Sequence, residues 1–223
     1  MNLLEAIQAR HSVRSYSNTP LGADTIRSFQ AEIDACNQES GLHIQLVTGE
    51  PDAFNGLMAH YGKFSGVQNY IALIGPKSST LDEQIGYYGE RLVLHAQTLG
   101  LHSCWVAMTF KKGTAKSRCR IGKDEKMVCV LAIGHSDTQG VPHTSKPMEQ
   151  LCQAASPMPA WFRSGMEAAM LAPTAMNQQK FRFTLEGNTV QARSLGGFYS
   201  KVDLGIVKYH FEVGAGKENF RWT

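Results

Sequence analysis

Two short stretches carry residue types whose spacing could do chemistry. The first is Arg10-His11-Ser12-Val13-Arg14, where two guanidinium groups flank a hydroxyl. Arg10 and Arg14 are four residues apart, so they share a face if the first helix runs through them. If that helix stops near Arg10, the segment becomes an arm presenting main-chain N–H, Ser Oγ and guanidinium donors. Either geometry suits a phosphate, because a guanidinium is a planar donor fork and a hydroxyl adds a short directional bond. A loose arginine run of this kind also describes a solvated helix end. The second stretch is Ala172-Pro173-Thr174-Ala175-Met176-Asn177-Gln178-Gln179, ahead of a strand-like Lys180-Phe181-Arg182-Phe183. Ala-Pro after a helix is by itself a common stop.

The elements around these stretches can be read from periodicity and punctuation. Asn2 with Glu5 three residues on is a capping-box variant, and Leu3, Leu4 and Ile7 make the buried stripe of a first helix ending near Arg10. A second helix spans about 24–36, with a strand over 42–47 opened by Gly41. A short helix is expected over 53–61. Residues 70–74 form a continuous apolar strand covered on both faces, and 81–99 form the longest helix, stopped by Gly100. Strands follow over 103–108 and 127–133, with the basic segment 111–126 between them exposed. Residues 135–160 hold Gly140, Pro142, Pro147, Pro157 and Pro159 and read as a long connection containing Ser145-Lys146. After it come a helix over 161–171, a hairpin turning at Glu186-Gly187-Asn188 and a last helix over 203–213.

Size and composition limit the function classes. At 223 residues and 43% hydrophobic, the chain can bury a proper core. A net charge of +3 suits a phosphate-bearing ligand, yet with no basic run longer than Lys111-Lys112 it does not describe a nucleic-acid surface. Five widely spaced cysteines without a C-x-x-C pair read as reduced thiols, Cys104 and Cys129 as core residues. Without a secretory signal or a membrane-length apolar run, a soluble cytoplasmic protein is expected. No G-x-G-x-x-G follows a strand, Gly134-His135-Ser136-Asp137-Thr138 lacks the last glycine of a nucleophile elbow, and the eight histidines form no metal-binding pattern. No metal is expected.

Taken together, the two stretches resemble the FMN-dependent nitroreductase family, whose chains open with R-[RH]-S-x-R/K and carry A-P-[ST]-x-x-N-x-Q before a strand. The resemblance extends over the middle helix and the glycine-bounded strand after it. It departs in one respect: the proline motif lies near residue forty in the family and in the last quarter here. The resemblance implies an α+β nitroreductase-like fold, an antiparallel-rich mixed sheet packed with helices. It implies FMN as cofactor, its phosphate held by Arg10, His11 and Ser12 with Lys146, and Arg14 towards the pyrimidine edge. Pro173, Thr174 and Asn177 would line the isoalloxazine, with the main chain of Ala107 and Met108 at N5 and O4, where family chains often show Glu-Gly. Phe64, Tyr61 or Phe198 would wall its open face. No protein residue is then catalytic. The flavin takes hydride from NAD(P)H and passes it to nitroaromatics, quinones or similar planar acceptors in ping-pong fashion. A flavin-binding protein that stores or senses FMN without turnover is the alternative.

A faint internal repeat suggests how one chain holds both stretches. The order helix, Asn-Gln, strand occurs at 26–38 and again at 161–178, and later helices run from Gly89 to Gly100 and from Gly205 to Gly216. Members of the family are intertwined homodimers in which the arm and the proline turn come from different subunits. Residues 1–150 would be a first half with the arm, and 151–223 a shorter second half completing the flavin site. The expectation is a monomeric pseudo-dimer binding a small-molecule substrate, with a homodimer as the other oligomeric state and no nucleic-acid or membrane partner.

Overall fold

In the computed structural model, which describes residues 1–154 and 157–223, the sequence-level elements are recovered with changed boundaries. In chain order they are α1 (Leu3–Ala9), α2 (Ala23–Ser40), β1 (Gln45–Val47), α3 (Leu57–Tyr61), β2 (Asn69–Pro76), α4 (Leu81–Thr98), β3 (His102–Val106) and α5 (Lys112–Ser117). There follow β4 (Glu125–Gly134), α6 (Met148–Leu151), β5 (Cys152–Gln153), α7 (Ala160–Ala169), β6 (Phe181–Glu186), β7 (Thr189–Ser194), α8 (Ser200–Ala215) and β8 (Arg221–Trp222). The architecture is α+β. Among the described residues its strands make two four-stranded sheets, one antiparallel and one mixed. Two compact units interleave in sequence: a central unit, Arg10–Leu81 with Leu92–Val141, and a C-terminal unit, Met1–Ala9 with Asp82–Arg91 and Pro142–Thr223. Residues 155 and 156 of the expected 135–160 connection lie outside the described residues.

The central unit is built on the antiparallel sheet β1-β2-β4-β3. Asn69–Gly75 of β2 and Met127–Gly134 of β4 are buried throughout, which is why these strands read as unbroken apolar runs. One face packs Phe54, Phe64, Tyr70 and Phe110, the Phe54 ring lying edge-on to Phe64 at 5.4 Å and stacked with Phe110 at 6.0 Å. Helix α2 runs four residues past its expected end at Cys36. Asn37 is not a stop, because its side-chain amide pairs with both main-chain groups of Ile44 from inside the helix. The stop is Gly41, left-handed at φ 72°, whose N–H returns to Asn37 O. The basic segment 111–126 is likewise not all exposed loop: α5 lies within it and buries Ala115. Its apolar signal was a single alanine.

The C-terminal unit carries the mixed sheet β5-β6-β7-β8, with an antiparallel β6-β7 hairpin and a parallel strand on each side. The long connection supplies α6 and β5, two elements too short to show periodicity. Helix α8 is buried from Val202 through Val207 and again from Tyr209 through Glu212. It meets α7 where Gly165 faces Phe211 and Ala215, and it crosses α4 where Gly205 faces Gly86. A Cβ on Gly205 would stand 2.0 Å from Glu83 O, so only hydrogen fits. The close approach thus uses Gly86, three residues before the Gly89 aligned with Gly205 in the sequence repeat. His210 and Glu90, both fully buried, pair at 2.8 Å, and the other ring nitrogen of His210 meets Ala168 O at 3.0 Å. On α1 the capping box closes as expected, with reciprocal 2.9 Å bonds between Asn2 and Glu5. Its buried stripe is Ala6 and Ile7, whereas Leu3 and Leu4 are 39% and 48% exposed, contrary to the periodicity reading.

Candidate functional site

Helix α1 stops at Ala9, and the segment from Arg10, with which the central unit begins, is an arm instead of a further helical turn. Ser12 bridges to Ser103 of β3, and Val13 N–H donates to Ser103 O at 3.0 Å. Two residues on, Ser65 N–H donates to Arg14 O and Tyr16 N–H to Ser65 O, at 3.0 and 2.9 Å. The Tyr16 hydroxyl donates to Val13 O at 2.7 Å and to Ala132 O at 3.2 Å, so Val13 and Tyr16 anchor the arm from below. Arg14 is exposed, its guanidinium 5.9 Å from the Phe64 ring centroid. Arg10 is buried at 4% exposure, and His11 and Ser12 are half-buried.

Below the arm lies Cys104, hydrogen-bonded to Ser12. Burial pushes its thiol up, outweighing Arg14, the Ser12 bond and Arg10, which pull it down. The thiol therefore stays protonated and offers no nucleophile. All five cysteines are free. Ala107 and Met108 follow the end of β3, Met108 with 55% exposure. Of the aromatics expected to wall a ligand, Phe64 is core, Tyr61 is 82% exposed and Phe198 is 50% exposed. A cleft of about 320 Å³ opens beside Phe64, with Phe54 below and Asn18, His60 and Gln68 on its rim.

The C-terminal unit holds the remaining candidates. After Pro173 the chain is extended at Thr174 and then turns tightly, with Met176, Asn177 and Gln179 all at positive φ (52°, 53° and 46°). Left-handed backbone costs a non-glycine residue on the order of 1 kcal/mol, so surrounding bonds must over-determine the turn. Lys146 Nζ donates to Gln178 O at 2.8 Å and Gln179 O at 3.2 Å. The Gln179 side chain is buried, accepting from Lys146 N–H at 2.7 Å and donating to Thr144 O at 2.9 Å and Asn177 Oδ1 at 2.8 Å. The Asn177 amide donates to Thr144 O at 3.0 Å. Thr174 Oγ1 accepts from Gln179 N–H at 3.1 Å, which leaves the hydroxyl proton to be donated elsewhere.

Thus the arm candidates Arg10, His11, Ser12, Arg14, Ala107 and Met108 belong to the central unit, and Lys146, Pro173, Thr174 and Asn177 to the C-terminal unit. Within the latter, Lys146 and Asn177 are bonded into the turn itself. Sequence reasoning missed Gln178, Gln179 and Asp203 as its supports. Asp203 was detectable: it is the one acid in the apolar run Val202-Asp203-Leu204-Gly205-Ile206-Val207.

The donor chemistry fits an FMN phosphate, since the arm offers two guanidinium groups and a hydroxyl and no carboxylate occurs from Arg10 to Asn18. Among the described residues no group of three or more His, Cys, Asp or Glu could hold a metal ion, and no helix is long and apolar enough to cross a membrane.

Comparison with solved structures places this architecture in the nitroreductase fold class. A chain described as a "putative nitroreductase" from Thermotoga maritima superposes with a TM-score of 0.67 at 21% identity, over 96% of this chain and 83% of that one. Chains from Bacteroides thetaiotaomicron and Parabacteroides distasonis, described as "Putative NADH dehydrogenase/NAD(P)H nitroreductase", give TM-scores of 0.53 and 0.54 at 18% and 20% identity. They are covered over 95% and 97% of their length by 67% and 68% of this chain. No functionally curated protein matches. Residues 2–215 match the family described as "Putative TM nitroreductase", and the chain belongs to that family. Its general role is that of an oxidoreductase.

Proposed function

We propose that this protein binds FMN and reduces planar acceptors such as nitroaromatics or quinones at the expense of NAD(P)H. The arm carries the reading: guanidinium groups and a serine hydroxyl, fixed along β3 by Ser12 and Val13 and to β4 by Tyr16, with no acid among them. Arg10, His11 and Ser12 would hold the phosphate, and Arg14 would offset negative charge on the pyrimidine edge. Pro173 and Thr174 would meet the ring, Thr174 as donor, because its oxygen already accepts from Gln179. The main chain at Ala107 and Met108 would serve the N5 and O4 edge. Asn177 and Lys146 would act by fixing the turn. Bound FMN would supply a two-electron carrier between the nicotinamide donor and the acceptor. The protonated Cys104 keeps thiolate chemistry out of the arm.

We further propose that one chain contains a complete site and acts as a monomer. Support comes from equal spacings, in a register three residues from that of the sequence repeat: Gly86 and Gly205 are each the sixth residue of their helices, α4 and α8. The same offset of 119 (205 minus 86) separates the starts of β3 and β8 (221 minus 102). That whole nitroreductase chains match only about two thirds of this one agrees with a second, partial copy.

The reading is tested by anaerobic titration of the FMN-loaded protein with NADH and with NADPH. Bleaching of the flavin, with colour returning on addition of a quinone, is expected. A flavin that neither nucleotide bleaches would favour a storage or sensing role.

A further inference from the structure

The proline turn is held from behind by a buried acid that neither the sequence motif nor the family resemblance points to. Asp203 lies in the first turn of α8 and is 3% exposed. Its Oδ1 accepts from the Ala175 N–H at 2.9 Å, one residue after Thr174, and its Oδ2 accepts from the Gln178 amide at 2.7 Å. The same Gln178 nitrogen donates to Phe198 O at 2.7 Å, so both of its protons are engaged and the amide cannot be reversed without losing a bond. We infer that Asp203, as the carboxylate, is the positioning residue that fixes the turn in the conformation presenting Thr174 to the ligand.

Both groups facing the carboxyl oxygens are N–H donors, and only the ionised acid offers two acceptors without pointing a proton at a donor. Protonation must therefore weaken one of the two bonds that hold a turn with three left-handed residues. Burial pushes the carboxyl up to about 6, while the Ala175 and Gln178 bonds pull it down. Lys146 and Lys180 flanking the turn, Lys201 on the helix and Arg193 on the neighbouring strand form no ion pair with it, so the two uncharged donors are what hold it. The acid thus sits where burial disfavours its charge, and its two bonds hold the turn against that cost.

The inference rests on the FMN reading for its ligand, but the position of the turn can be followed without flavin. In ¹⁵N-labelled, flavin-free protein the Ala175 amide and the Gln178 side-chain amide should move together with a midpoint near pH 6. Both movements should be absent in Asp203→Asn. FMN should bind Asp203→Asn at least fivefold more weakly than wild type at pH 7.5, with the ratio closing towards one at pH 5. Dividing by the wild-type affinity at each pH cancels titration of the FMN phosphate itself. Gln178→Ala removes one arm without touching the helix and should give a smaller loss, which keeps the test open if Asp203→Asn folds poorly. An Ala175 resonance that stays still from pH 4.5 to 8, or wild-type FMN affinity in both variants at pH 7.5, would overturn the inference. If the amides titrate and no variant binds FMN, the role of Asp203 in the turn stands and the flavin reading falls.

Discussion

Replacing Lys146 by Met separates two roles that the same residue could play. The resemblance makes it a phosphate contact, whereas the structure bonds its ammonium to Gln178 O and Gln179 O at 2.8 and 3.2 Å. Met keeps the aliphatic stem and removes the donors. Hydrogen bonds to a charged group contribute about 1.5–3 kcal/mol when well buried, but Lys146 is half-buried and solvent screens it, so about 1–2 kcal/mol for the pair is reasonable. For a chain of this size each kcal/mol lowers Tm by about 2–4 °C. Lys146→Met should therefore melt about 2–8 °C below wild type without FMN, by circular dichroism or dye fluorescence at low salt. A purely phosphate-binding lysine would leave that Tm unchanged and weaken only FMN binding. A flavin-free Tm within 1 °C of wild type would refute the placement of Lys146 as a support of the turn.

Arg10→Ala should weaken FMN binding by about 1.5–3 kcal/mol, roughly 10- to 150-fold by calorimetry, and the exposed Arg14→Ala should weaken it with less effect on folding. Gly205→Ala places a Cβ 2.0 Å from Glu83 O and 2.5 Å from Tyr87 N, so α8 must move off α4. It should cost about 3 kcal/mol or more in urea unfolding, and a loss under 1 kcal/mol would contradict the crossing. For Asp203 the folded carboxyl lies near 6, above its ordinary 3.8, so its contribution to global stability is full below pH 4 and lost as pH rises through 6. Between pH 4 and pH 7 the unfolding free energy of Asp203→Asn should accordingly gain on wild type by up to about 3 kcal/mol, and a flat difference would remove the buried charge from the account.

How much was legible in the sequence depended on whether the signal was local. The capping box at Asn2 and Glu5, the strand at Tyr70–Ile74 and the hairpin at Gly187 follow from residues a few positions apart, and all are present. The end of α2 lies four residues beyond the expected 36, because what keeps Asn37 inside the helix is its pairing with Ile44, seven positions on. Leu3 and Leu4 looked buried because periodicity gives a stripe but not its centre, which packing places on Ala6 and Ile7. At the candidate site the donors were legible as residue types, since guanidinium, hydroxyl and proline announce their chemistry. Their supports were not, because Asp203 reaches Gln178 across 25 positions and Lys146 reaches it across 32.

The central claim is tested most directly by adding FMN to the purified protein, removing the excess by gel filtration and recording the absorption spectrum with light scattering on the same peak. The account predicts a yellow monomer near 24.6 kDa carrying one flavin per chain. A colourless peak, or one flavin shared by two chains, would contradict it.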